Sequence, residues 1–127
     1  MKKTFLVVFA IAILAACGGG NDSKTENAKT VDITKNPDYQ KGLELISKRD
    51  CFTCHAIDTK ITGPAYREVA DKYAGYPDTI ISHLATKVLS GGSGVWGEIP
   101  MLPHPSLKKE DALAMVKYVL LLKTPKQ

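Results

Sequence analysis

Cys51-Phe52-Thr53-Cys54-His55 is the stretch on which the reading of this chain turns. The spacing C-x-x-C-H is that of a covalent attachment site for c-type haem. On the first turn of a helix, residues three and four apart share one face. Cys51 and Cys54 can then reach two vinyl groups of one porphyrin, while His55 offers a ring nitrogen to the iron. Other readings of the pair fare worse. A thioredoxin-like redox pair belongs in a βαβ surround, and no alternating β-rich segment flanks Cys51. A closed zinc site needs four ligands, and with no second C-x-x-C it would have to recruit His83 or His104 from afar. An inert buried pair gives no reason for the adjacent histidine.

Working outward, the N-terminus reads as an export signal. Met1-Lys2-Lys3 is followed by an apolar run from Phe5 to Leu14, too short to span a bilayer, so residues 1–16 are expected to be a signal peptide. Small residues then precede a cysteine in Leu14-Ala15-Ala16-Cys17, which is similar to a bacterial lipoprotein cleavage box. That resemblance implies a lipidated Cys17 as the mature N-terminus. Three cysteines cannot all pair; one lipid anchor and two haem thioethers use all of them. The expected setting is an exported, membrane-anchored lipoprotein facing the periplasm or the outer side of the cytoplasmic membrane.

The 127 residues are 44% hydrophobic and 24% charged, an ordinary composition with room for one domain. Without Lys2 and Lys3 the net charge falls from +4 to +2. That balance, with no basic run, excludes a nucleic-acid binder. From Gly18 to Lys35 the sequence is polar and aperiodic, so residues 17–35 read as a lipidated cysteine and flexible tether. Such a tether spans about 25 Å on average and about 60 Å when taut.

The folded domain, residues 36–127, opens at Asn36-Pro37, an N-cap followed by a first-turn proline. Tyr39, Gly42, Leu43 and Ile46 then follow helical spacing, and the helix breaks near Arg49-Asp50. A second helix is expected from Pro64 to about Tyr73, with Tyr66, Val69, Ala70 and Tyr73 on one side and Gly75 as its stop. A third runs from Pro77 to Gly91 and carries Ile80, Ile81, Leu84 and Val88 inward. The last runs from Ser106, as N-cap, to about Leu122, with Ala112, Met115, Val116, Val119 and Leu120 on one face. Between the third and last helices, Gly91–Pro105 holds four glycines and three prolines in fifteen residues, which excludes a regular helix or central strand. A long loop of this kind inside a compact domain points to function.

An iron held by His55 needs a sixth ligand if the protein is to carry electrons without binding small molecules, and the candidates are Met101, Met115, His83 and His104. Met115 falls on an apolar stripe and reads as core. His83 sits among apolar positions of the third helix. Met101 follows Pro100 and has no stripe to belong to, which makes it the first choice; His104, between two prolines, is the second.

Taken in order, Cys51–His55, Gly63-Pro64, Gly91-Gly92-Ser93-Gly94-Val95-Trp96-Gly97-Glu98-Ile99-Pro100-Met101 and the closing Tyr118-Val119-Leu120 resemble the small bacterial class I c-type cytochromes over residues 36–125. The resemblance implies an all-α fold of four to five helices around one covalently bound haem c, with His55 proximal and Met101 distal. It also implies that the Pro64 carbonyl accepts the other ring N–H of His55, that Gly42 lies against Tyr118 where the first and last helices cross, and that Trp96 hydrogen-bonds a haem propionate. The function implied is a monohaem carrier, not an enzyme, that passes single electrons between a quinol-oxidising complex and a terminal oxidase or reductase, as a monomer or a subunit of a respiratory complex. The rival readings are a haem protein with a labile sixth ligand, acting in gas sensing or peroxidase-like chemistry, and a haem-free thiol-exchange lipoprotein.

Overall fold

A computed structural model of the chain describes residues 32–125. The signal peptide, Cys17 and the tether as far as residue 31 lie outside the described residues. Four α-helices, α1 (Pro37–Ser47), α2 (Tyr66–Tyr73), α3 (Thr79–Ser90) and α4 (Lys109–Leu121), surround a core, and one hairpin, β1 (Gly92–Gly94) with β2 (Gly97–Met101), sits between α3 and α4. No helix among the described residues is long and apolar enough to cross a membrane.

Ordered structure begins before Asn36. Ile33–Lys35 forms a 3-10 turn because the Asp32 carboxylate accepts from the Thr34 backbone N–H at 3.1 Å and from its hydroxyl at 2.6 Å. Ile33 packs on the core, and the Gln40 side chain donates to the Thr34 carbonyl at 3.1 Å. The last residues expected in the tether are therefore part of the domain. Asn36 then caps α1 as expected, its side chain accepting from the Asp38 N–H at 2.8 Å with Pro37 in the first turn.

α4 is the centre of the molecule and packs against α1, α2 and α3. Its sequence explains this: Ala112, Met115, Val116, Tyr118 and Val119 are all buried, too wide an apolar arc for a helix that covers only one neighbour. Gly42 and Ile46 are the buried positions of α1. A Cβ at Gly42 would lie 2.6 Å from the Ala114 carbonyl oxygen and closer still to the Tyr118 Cβ. Only glycine lets α1 and α4 cross at this separation.

Helix starts differ from the expectation in a consistent way. α2 begins at Tyr66, two residues after Pro64; the Glu68 carboxylate accepts from the Ala65 N–H at 2.9 Å, and the Tyr66 and Arg67 N–H groups donate to the Ala56 and Ile57 carbonyls. α3 begins at Thr79, with Pro77 in the preceding turn. α4 begins at Lys109, with Lys108 and not Ser106 at the cap. Ser106 sits in a turn closed by the Leu107 N–H on the His104 carbonyl at 3.1 Å, which sends Leu107 into the core. α2 closes on Ala74, and Gly75 is not among the glycines of positive φ.

Gly92–Met101, within the expected loop, is an antiparallel hairpin. Gly92 pairs with Met101 and Gly94 with Gly97 across a Val95-Trp96 turn. Gly92, Gly94 and Gly97 have φ of 128°, 110° and 124°, values that L side chains rarely adopt. With two strands only, Pro100 removes no ladder bond that a neighbour needs.

Candidate haem site

Cys51-Phe52-Thr53-Cys54-His55 lies on a short 3-10 turn, Asp50–Thr53, and not on an α-helix. Residues i and i+3 eclipse in a 3-10 turn, so Cys51 and Cys54 still share a face. The turn is closed by the N–H groups of Cys54 and His55, which both donate to the Cys51 carbonyl, at 3.2 and 3.0 Å. Both thiols are free; Cys51 is half-buried and Cys54 exposed. Burial, with the Asp50 carboxylate beside it, pushes the Cys51 thiol above the ordinary range.

His55 is held from several sides. Its Nδ1 lies 2.8 Å from the Pro64 carbonyl oxygen. A carbonyl can only accept, so Nδ1 carries the proton, and in the neutral ring Nε2 is left with its lone pair free. The loop that brings Pro64 back is pinned by the Gly63 N–H on the Cys54 carbonyl at 2.8 Å and by an isolated antiparallel bridge between His55 and Lys60. Gly63 lies against the imidazole: a Cβ there would come within 2.8 Å of Nδ1, 2.9 Å of Nε2 and closer to Cε1. The Tyr66 ring stacks on His55, centroids 5.2 Å apart and planes 16° from parallel.

The second candidate ligand is on the hairpin. Met101 is half-buried at the end of β2. Its backbone is fixed against the C-terminal end of α3, since a Cβ at Gly91 would lie 2.5 Å from the Met101 carbonyl oxygen and 2.9 Å from the Pro103 nitrogen, and Gly91 has a φ of 70°. The His104 N–H donates to the Val88 and Leu89 carbonyls at 3.2 and 3.1 Å, so the chain beyond Met101 is tied to the same helix end. Trp96, half-buried in the hairpin turn, has the Lys72 ammonium 5.4 Å from its ring centroid. Met115 is 4% exposed inside the core, which leaves it no part in a site. His83 is exposed on α3 and not in the core.

The Cytochrome c family profile matches residues 39–123. The chain belongs to the cytochrome c family. This cytochrome is 42% identical over 84 residues to cytochrome c-552 of Nitrosomonas europaea, covering 66% of this chain and 81% of that protein. It is 44% identical over 81 residues to cytochrome c-551 of Azotobacter vinelandii, covering 64% of this chain and 96% of that one. The crystal structure of Nitrosomonas europaea cytochrome c552 superposes with a TM-score of 0.60 at 42% identity, covering 64% of this chain and 99% of that one. A class 1 cytochrome, MtoD from Sideroxydans lithotrophicus ES-1, gives a TM-score of 0.55 at 28% identity. The fold is thus the class I cytochrome c fold, and the cytochrome is a monohaem electron carrier with one covalently bound haem c.

The side chains present fit that group. Two thiols share one face of a turn, the adjacent imidazole has one nitrogen engaged and the other free, and Gly63 leaves room for the ring at a place any Cβ would fill. Three residues of the site were not legible as such. Tyr66 reads as one more position on the α2 stripe, and Gly63 and Gly91 as members of the motifs that carry the family resemblance, Gly91 also as a helix stop, with no sign of what either lies against. A glycine directly before a proline whose carbonyl serves the histidine was the one available signal for Gly63.

Proposed function

We propose that the cytochrome is a membrane-tethered shuttle that moves single electrons between a quinol-oxidising complex and a terminal oxidase or reductase on the outer side of the cytoplasmic membrane. The observation that carries the reading is the engaged Nδ1 of His55, which leaves one lone pair to offer and fixes where it points. When bound, haem supplies a one-electron ferric/ferrous couple. Cys51 and Cys54 would hold it by thioethers, each thiol adding its S–H across a vinyl group. His55, kept in one tautomer by Pro64, would be the proximal ligand. Met101, on a backbone pinned between Gly91 and the end of α3, would be the distal one. A thioether at that position favours the ferrous state and raises the potential relative to two imidazoles. With His55 and Met101 both holding the iron, the change in bonding between the two states would be small, which suits a carrier and not a catalyst. Trp96 would hydrogen-bond a propionate from the hairpin turn.

Leu14-Ala15-Ala16-Cys17 supports lipidation of Cys17, and two or more acyl chains suffice for stable anchoring. Residues 1–16 would be removed on export and residues from 17 to about 31 would serve as the tether. Confinement near the membrane raises the concentration of the domain toward membrane-bound partners without any new contact. Expression with the c-type haem assembly machinery tests both halves. Met101→Ala should abolish the low-spin spectrum where His104→Ala leaves it intact, and Cys17→Ser should move the red protein from the membrane to the soluble fraction. A low-spin Met101→Ala protein would sink the ligand assignment, and a membrane-bound Cys17→Ser protein the anchor.

A further inference from the structure

The geometry points to Tyr66 as the positioning residue that fixes the plane of the His55 imidazole, and with it the electronic axis of the haem. The inference rests on the reading of His55 as the axial ligand. A metal bond at Nε2 and the Nδ1–H hydrogen bond to the Pro64 carbonyl both lie in the ring plane and together favour one orientation, but a single hydrogen bond is a soft restraint on turning about the metal–Nε2 axis. A contact on the face of the ring stiffens that torsion and holds the plane. The Tyr66 ring provides it, lying nearly parallel to the imidazole at 16° with centroids 5.2 Å apart, the range of an offset stack.

Tyr66 can act as a fixed plate because it is itself immobilised. It is 6% exposed, and its N–H donates to the Ala56 carbonyl at 2.9 Å in the loop that follows the haem motif. Phe52, from within the C-x-x-C, packs on its ring at 5.9 Å, and the edge of Tyr118 meets it at 6.4 Å with planes 87° apart. The plate is thus anchored to the haem turn and to α4 together. In a ferric low-spin haem the unpaired electron occupies a d orbital whose direction follows the axial ligand planes. A fixed imidazole therefore assigns spin density unequally to the four edges of the porphyrin, and a rotating one averages it.

The test is made on the ferric, haem-loaded full chain by frozen-solution electron paramagnetic resonance and by proton NMR of the four haem methyl groups. Tyr66→Phe keeps the plate and should leave the g-values and the spread of methyl shifts as in the wild type. Tyr66→Leu removes it and should broaden the g-signal and narrow the methyl spread; Tyr66→Met gives the same readout if the leucine variant fails to take up haem. Tyr73→Leu removes a buried ring whose aromatic partner is Tyr76, not Tyr66 or His55, and should lower the melting temperature without moving either signature. Wild-type signatures in Tyr66→Leu or Tyr66→Met would overturn the inference, as would equal changes in Tyr73→Leu. Absence of hyperfine-shifted His55 ring protons in the wild type would instead overturn the ligand assignment.

Discussion

Gly63→Ala separates space from backbone strain at His55. Gly63 is not among the glycines of positive φ, so an alanine can adopt its backbone, and the added methyl is the whole perturbation. That methyl would sit 2.8 Å from Nδ1 and 2.9 Å from Nε2 of His55. Carbon contacts settle at about 3.5–4.0 Å, so the imidazole must retreat by about 1 Å. It cannot do so and keep the 2.8 Å contact to the Pro64 carbonyl, while the Tyr66 ring resists from its face. Overpacking costs about 1–3 kcal/mol and the lost hydrogen bond about 1 kcal/mol, for a combined loss of about 2–4 kcal/mol. In a domain of this size that corresponds to a fall in melting temperature on the order of 10–30 °C. The assay is thermal unfolding of the haem-loaded protein followed by far-UV circular dichroism, with the haem methyl shifts recorded on the same sample. Covalent haem content should be unchanged, because the methyl meets the imidazole and not the thiols. A variant with wild-type melting temperature and unmoved methyl shifts would refute the claim that Gly63 makes room for the ring.

Gly42→Ala should destabilise by about 2 kcal/mol in urea titration, an overpacking cost of about 3 kcal/mol less the roughly 1 kcal/mol that alanine gains over glycine in a helix. Because the clash is with the Tyr118 Cβ and the Ala114 carbonyl, the loss should persist in a Tyr118→Ala background; full rescue there would contradict it. Tyr118→Phe should be neutral or stabilising by about 1 kcal/mol in the same titration, since the hydroxyl it removes is buried without a hydrogen-bond partner. Burial also pushes this phenol up to about 12, with Tyr39 adding to the effect, so a tyrosine titrating near the ordinary value in Tyr118 would contradict its burial. Asp71 accepts from the Thr124 N–H and hydroxyl, each at 2.7 Å, and these bonds hold its carboxyl below the usual 3.8. A depressed carboxylate stabilises the fold above its unfolded value and loses that contribution as pH falls through the folded one. The Thr124 amide resonance should therefore stay constant from neutral pH to about 4 and shift below it, and Asp71→Asn should abolish the transition.

How much of this was readable in advance depends on whether a feature lives in backbone pattern or in side-chain direction. Cys51, Cys54 and His55 are assigned by their spacing, and Met101 is proposed because it stands off every apolar stripe. Gly42 and Tyr118 were paired correctly by resemblance to the family, and the contact at their crossing gives the physical reason. The helix starts were misjudged because the residues that looked like caps do other work: Pro64 offers its carbonyl to His55, Pro77 closes the turn before α3, and Ser106 belongs to the turn that buries Leu107. The hairpin was hidden because glycine in a strand reads as a breaker. Here the glycines are what let the strands turn, through three positive φ angles. The stack of Tyr66 on His55 joins residues from a loop and a helix, and periodicity places a ring on a face without saying what it touches.

The measurement that tests the account most directly is the visible spectrum of the reduced, haem-loaded protein before and after carbon monoxide. On the proposed ligation by His55 and Met101, which leaves no open position on the iron, the spectrum should not change. A shift on adding carbon monoxide would mean that the sixth position is empty or weakly held, which contradicts the closed ligand set on which the shuttle rests.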